Sequence, residues 1–320
     1  MKIKKKSFGL ETLTTLAIIL GIVAFFVTPL AAGSRGGYSP CHERVNAIFI
    51  SDRITDVAYR LGVVPVAYCA RCCWPMTQKE LSTVTRLGCY RCATVDSVVK
   101  TADKHKARLI LIEDGSVTIN KDWNWTDKFL QPLKEHGYDI HVINFSEGVP
   151  RAILEIGKAL GKEDKAMSLA RQYARSLERI RNTIPAIRVD KKILILHGWG
   201  RRGVRVEAPG GYSDRFLLKP LGCVNVGGLI KKQDTKVNKG YFPLKSWQAV
   251  LKANPDIIVI YGNSCTVQKS LVRALKRHPE LAKVTAIRDH AVYTLPFYMN
   301  SSVTQYPKIL KVWIDAICRE

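Results

Sequence analysis

Apolar residues recur along the chain in two registers. Val45–Ile50, Val63–Tyr68 and Ala107–Ile112 are short, nearly unbroken apolar runs, and Asp139–Ile143 is a fourth, more mixed one. Runs of this length closed by Ser51-Asp52 or Glu113-Asp114-Gly115 predict strands, and their continuity predicts burial on both faces. Between them lie helix-spaced stretches: 54–61 with Gly62 as its stop, 95–105 and 125–136. Strand–helix alternation of this kind predicts a parallel α/β sheet.

The pattern then changes. Residues 150–160 are helical and Gly161 breaks them. From Glu163 to Ile184 the apolar positions Ala166, Leu169, Ala170, Tyr173, Ala174, Leu177 and Ile180 fall on one helical face, while Arg171, Arg175, Glu178, Arg179 and Arg181 fall on the other. Pro185 follows, and the length predicts a connector. Alternation restarts with strands at 192–196, 256–260 and 291–295 and helices at 212–221, 244–253, 267–276 and 306–318. The expected architecture is therefore α/β: two Rossmann-like lobes, 34–149 and 186–320, joined by a helical segment over 150–185 that ends in one long backbone helix. A ligand cleft would lie between the lobes.

The first 33 residues read as an export segment. Lys2, Lys4, Lys5 and Lys6 precede an apolar stretch over 13–32, and Ala31-Ala32-Gly33 offers a cleavage site. About 20 apolar residues also suffice to span a bilayer, so a retained anchor is the competing reading. No Cys follows directly, so lipidation there is not supported. Either way the remaining chain is expected outside the cytoplasm, in the periplasm or an equivalent space. The formal charge is +23; residues 1–33 hold four Lys and one Glu, which leaves +20. Such a charge favours an acidic partner, and the export segment argues against nucleic acid.

Five segments resemble the helical-backbone (TroA-like) periplasmic binding proteins, which serve ABC importers of cobalamin, ferric siderophores, haem and metal ions. Ser51-Asp52-Arg53-Ile54-Thr55-Asp56 to Leu61-Gly62 is similar to the family's first strand–helix turn. Ala159-Leu160-Gly161-Lys162-Glu163-Asp164-Lys165-Ala166 is similar to its entry into the backbone helix. Leu221-Gly222-Cys223-Val224-Asn225-Val226, Asn254-Pro255-Asp256-Ile257-Ile258 and Val284 to Tyr293 resemble three second-lobe turns. The resemblance spans roughly residues 45–318. It implies a receptor for a metal ion or an anionic metal chelate, working with an ABC permease and ATPase and carrying no catalytic residues. It also implies one docking acid on each lobe, at Asp96 and Asp214 by position. Both can equally serve as helix N-terminal dipole partners. The chain departs from the family in a Cys-rich loop after Tyr68 and in Cys223 within the Leu-Gly-Gly turn.

In open α/β sheets ligands sit beyond the carboxyl ends of the strands. That rule nominates Asp52, Tyr68, Glu113, His197, Trp199, Tyr261 and Tyr298 as ligand contacts, with Asn144-Phe145 and Phe297 beside them. The aromatic members can stack on a flat ligand or pack the wall. His197 is either a ligand contact or a hydrogen-bonded structural residue. Arg201, Arg202 and Arg205 suit an anionic chelate, against the alternative of a solvated hairpin.

Nine cysteines leave at least one without an intramolecular disulfide partner. The loop 69–92 holds Cys69, Cys72, Cys73, Cys89 and Cys92. Cys69, Cys72, Cys89 and Cys92, with Cys73 as alternate, match a four-thiolate site for zinc, an iron–sulfur cluster or another soft metal. An oxidising compartment would favour disulfides at the same positions. Besides the importer receptor, two other functions fit: a periplasmic thiol or metal redox protein using the Cys-x-x-Cys pairs, and a membrane-anchored sensor ectodomain of the same fold.

Overall fold

The computed structural model describes residues 42–71, 81–89, 92–114, 125–187, 190–200, 203–232, 234–238, 240–297 and 302–318. Residues 1–33, Cys72, Cys73, Arg201, Arg202 and Tyr298 lie outside them.

The first sheet is built from β1 (Glu43–Ile50), β2 (Val63–Cys69), β3 (Thr85–Arg86), β4 (Leu109–Glu113) and β5 (Asp139–Ile143). Their order is β3-β2-β1-β4-β5 and every pairing is parallel. Ala47 to Ile50 and Ile110 to Ile112 are buried, as strands covered on both faces must be. From β1 the chain first builds one side of the sheet and then returns through β4 to build the other. The β1–β4 boundary is thus the switch point at which an open sheet forms a crevice. The two-residue β3 pairs in parallel with β2, so Thr85 and Arg86 of the Cys-rich loop form the edge of the sheet. Its register is held by Leu87 donating to the Tyr68 carbonyl at 2.9 Å and Ala70 donating to the Gly88 carbonyl at 3.0 Å.

The second sheet contains β6 (Lys192–Gly198), β7 (Val204–Glu207), β8 (Val224–Asn225), β9 (Tyr241–Pro243), β10 (Ile257–Gly262) and β11 (Val292–Thr294). The order is β11-β10-β6-β7-β9, and β8 pairs with the start of β6. The β6–β10 and β10–β11 pairs are parallel, whereas β7 and β9 form an antiparallel flap. Sequence patterning does not show this flap, because three- and four-residue strands carry too little alternation. The helix expected over 212–221 is a wide turn at Asp214–Leu218 followed by a tight turn at Lys219–Leu221. Pro220 has no N–H to continue a regular helix. The helix expected from 244 begins only at Gln248.

In chain order the helices are α1 (Asp52–Arg60), α2 (Val95–His105), α3 (Trp125–Glu135), α4 (Val149–Ala159), α5 (Glu163–Ile187), α6 (Gly227–Ile230), α7 (Gln248–Ala253), α8 (Ser264–Arg277), α9 (Thr285–Arg288) and α10 (Tyr306–Ile317). Along α5, Ala166, Ala170 and Tyr173 pack into the core on one face of the first sheet (the first core), Ile180 and Ile184 pack against the core on one face of the second sheet, and Leu177 packs against both. Helix α5 runs on past Pro185. A second bridge joins the sheets alongside α5. Ser302 donates to the buried Asp56 carboxylate, Arg60 donates to Ser302 Oγ at 3.3 Å, and the Tyr306 hydroxyl donates to the Phe216 carbonyl at 2.7 Å.

Candidate functional site

At the first sheet's switch point Ser51 is extended, with φ −179°, and caps α1. Its Oγ accepts the N–H groups of Arg53 (3.0 Å) and Ile54 (3.3 Å) and donates to Glu113 Oε2 at 2.5 Å. A hydroxyl has one proton and two lone pairs, so this one is fully used. Glu113, 1% exposed, also receives the Arg53 guanidinium. Burial pushes its carboxyl upward, against the pull of Arg53 and Ser51. Asp52 receives Arg71. Arg53 in turn lies 4.9 Å from the Phe145 ring centroid.

The structure therefore assigns Asp52 and Glu113 to holding two arginines. Neither offers an open carboxylate to a ligand. Tyr68, also nominated from sequence, is 1% exposed and belongs to the first core. Arg53 and Arg71 bring positive charge to this edge, and neither was among the ligand contacts nominated from sequence.

The second sheet gives a different surface. His197 and Tyr261 are register partners at the ends of β6 and β10. Their rings stack at 4.9 Å, and Phe297 stacks on Tyr261 at 4.2 Å and 6°. Trp199, 38% exposed, lies 5.8 Å from His197, and the Arg205 guanidinium sits 4.5 Å from the Trp199 centroid. Gly262 permits this crowding. Its φ is +74°, and a Cβ there would lie 2.4 Å from His197 Cδ2. Burial and the nearby Arg205 lower the His197 pKa to about 4, so the imidazole is neutral at pH 7. Its Nδ1 is buried and has no hydrogen-bond partner among the described residues.

Behind the rings lies Glu207, fully buried. It accepts the N–H groups of Ser213 (2.6 Å) and Asp214 (3.1 Å) and the Tyr261 hydroxyl at 2.7 Å. The Tyr261 hydroxyl is also 2.7 Å from the Tyr241 hydroxyl. Burial raises the Glu207 pKa against these donors. Gly211 makes room for the carboxylate, since a Cβ there would meet Glu207 Oε1 at 2.5 Å. Glu207 and Tyr241 were not legible beforehand, because both lie on the short antiparallel flap.

Of the two acids nominated for docking, Asp96 is exposed in the first turn of α2. Asp214 is 4% exposed and accepts the Gly210 N–H at 2.6 Å, so it closes a turn and presents no surface charge.

In the cysteine loop, the Sγ atoms of Cys89 and Cys92 lie 3.4 Å apart. Cys69 is buried, and burial together with Cys89 lifts its thiol to about 12. Among the described residues no group of three or more His, Cys, Asp or Glu side chains is placed to hold a metal. A four-thiolate shell is therefore not completed by them. No helix among the described residues is long and apolar enough to cross a membrane.

A family model described as "Periplasmic binding protein" matches residues 121–299. No curated protein matches the chain. Among solved structures, the chain is similar to the periplasmic heme-binding protein RhuT from Roseiflexus sp. RS-1 in its apo form. The TM-score is 0.60 and the identity 16%, over 86% of this chain and 97% of that one. It is also similar to Staphylococcus aureus IsdE complexed with heme, with TM-score 0.56 and 20% identity over 85% and 98% of the two chains. The TroA-like periplasmic binding protein FepB from Veillonella parvula gives 0.61 and 15% over 86% and 85%.

Proposed function

Since the chain belongs to the periplasmic binding protein family, a family of substrate-binding and transport proteins of ABC importers, we propose that it is the extracytoplasmic receptor for a planar metal chelate of the haem type, which it hands to a permease. The observation that carries this reading is the second-lobe ring cluster. His197, Trp199 and Phe297 bring three aromatic rings to the carboxyl ends of β6, β10 and β11, and Tyr261, 1% exposed, is the buried ring against which His197 and Phe297 stack. Flat macrocycles are recognised by such surfaces through stacking and apolar burial. Arg205, over Trp199, supplies a cation where acidic ring substituents would lie.

Chemistry favours a metal chelate over a plain aromatic ligand. A neutral imidazole is the protonation state that binds iron, and burial keeps His197 neutral well below pH 7. Opposite charges balance on the first lobe, where Arg53 and Arg71 face Glu113 and Asp52. The selective features therefore lie on the second lobe. Structures of similar fold include proteins described as binding heme, which supports this choice among chelates.

Titrating the protein with haemin tests the reading. Haemin should bind one to one with a shifted Soret band, and His197→Gln should weaken binding by about tenfold or more, the scale of a lost metal ligand or its support. An unchanged Soret band, or equal binding by the variant, would defeat the assignment.

A further inference from the structure

On α5, away from the strand ends, Arg171, Arg175 and Arg179 recur at intervals of four and form one stripe. All three are exposed, and none takes part in an ion pair among the described residues. Arg171 reaches the Met167 sulfur at 3.0 Å, and Arg179 donates to the Arg175 carbonyl at 3.3 Å. Like charges at this spacing destabilise a helix. Fold stability alone gives no reason for the stripe.

The stripe borders two concavities that meet at Gln172 and Arg179. One, of about 530 Å³, follows the three arginines and includes Asp164. The other, of about 750 Å³, lies between α5 and α10. Leu169, Ile180 and Ile314 give it apolar walls, Arg179 and Lys308 bring positive charge to it, and Arg60 is paired with Asp56 at 3.6 Å. Its acid, Asp315, is paired with Lys311 at 2.8 Å.

We propose that this groove seats an anionic phospholipid, so that the α5–α10 face rests on an acidic membrane surface. The two halves of the groove match the two halves of such a molecule. The arginine stripe suits phosphate, which guanidinium binds through paired N–H groups, and the apolar walls suit the first part of an acyl chain. An acidic protein segment would use the arginines but leave the apolar walls unfilled. The chain's +23 charge adds long-range attraction to the same surface. The inference draws on the proposed function only in placing the protein beside a membrane.

Co-sedimentation of the full chain with vesicles provides the test, because any contribution of the N-terminal segment is common to all variants. Phosphatidylglycerol vesicles should bind the protein more tightly than phosphatidylcholine vesicles. Arg171→Gln, Arg175→Gln and Arg179→Gln together should reduce binding to phosphatidylglycerol by about 100-fold, at the usual contribution per basic residue at an acidic surface. Removing as much charge from α8, through Lys269→Gln, Arg273→Gln and Lys276→Gln, should reduce it by less than about threefold. Equal loss in both sets, or no loss in the stripe variant, would overturn the proposal. So would capture of the protein by polyglutamate but not by the acidic vesicles, which would indicate an acidic protein partner. Haemin titration of the stripe variant should match wild type, so failure here is distinguishable from failure of the ligand assignment.

Discussion

Glu113 shows how one residue sets the character of a whole sheet edge. Its carboxylate is held at the switch point by the Ser51 hydroxyl and by Arg53. Removing the arginine strands a buried carboxylate. Arg53→Ala should therefore lower unfolding free energy by about 3–5 kcal/mol, and Arg53→Ala with Glu113→Gln should recover much of it. Urea denaturation of the single and double variants measures both; equal losses would mean that the pair is not coupled. His197 gives a second residue-scale expectation. Its folded pKa of about 4 lies below the ordinary value of 6.5. The unfolded chain therefore takes up a proton first on acidification, and stability drains away as pH falls from about 6.5 towards about 4. Relative to His197→Gln, wild type should lose stability across that window and run parallel to it above about pH 7. A pH-independent difference between the two melting curves would contradict this.

At the scale of elements, the close fit between the ends of β6 and β10 depends on Gly262. Ala at that position combines a positive φ with a Cβ directed at His197. Gly262→Ala should cost about 1–3 kcal/mol and displace the His197 ring, weakening haemin binding along with stability. Thermal melts and a haemin titration of the same variant check this, and unaltered binding would show that the ring's position is not critical. The parallel strands and long helices were legible in the sequence because apolar runs and a 3.6-residue period persist over enough residues to declare themselves. The flap of β7 and β9 was not, and it carries Glu207 and Tyr241. Sequence also identified strand-end positions without saying which side chains would turn inward. Asp52, Glu113 and Tyr68 are at such ends yet are engaged or buried, whereas Trp199 is exposed. For the two acids the outcome depends on Arg53 and Arg71 folding back to a carboxylate, and for Tyr68 on packing into the core, and no local pattern encodes either.

Across the whole molecule, two sheets with unlike edges are joined by α5 and by the Asp56–Ser302–Arg60 bridge. The first edge is charge-balanced and the second aromatic. This asymmetry favours a flat chelate lying against the second lobe over a bulky, highly anionic one grasped equally by both. The most direct test is a parallel equilibrium titration of the protein with haemin, a ferric siderophore and cobalamin, followed by Trp199 emission against a Trp199→Phe control. The structure predicts that haemin binds most tightly and quenches the Trp199 signal. Tighter binding of the siderophore or of cobalamin, or haemin binding with no change at Trp199, would contradict the central claim.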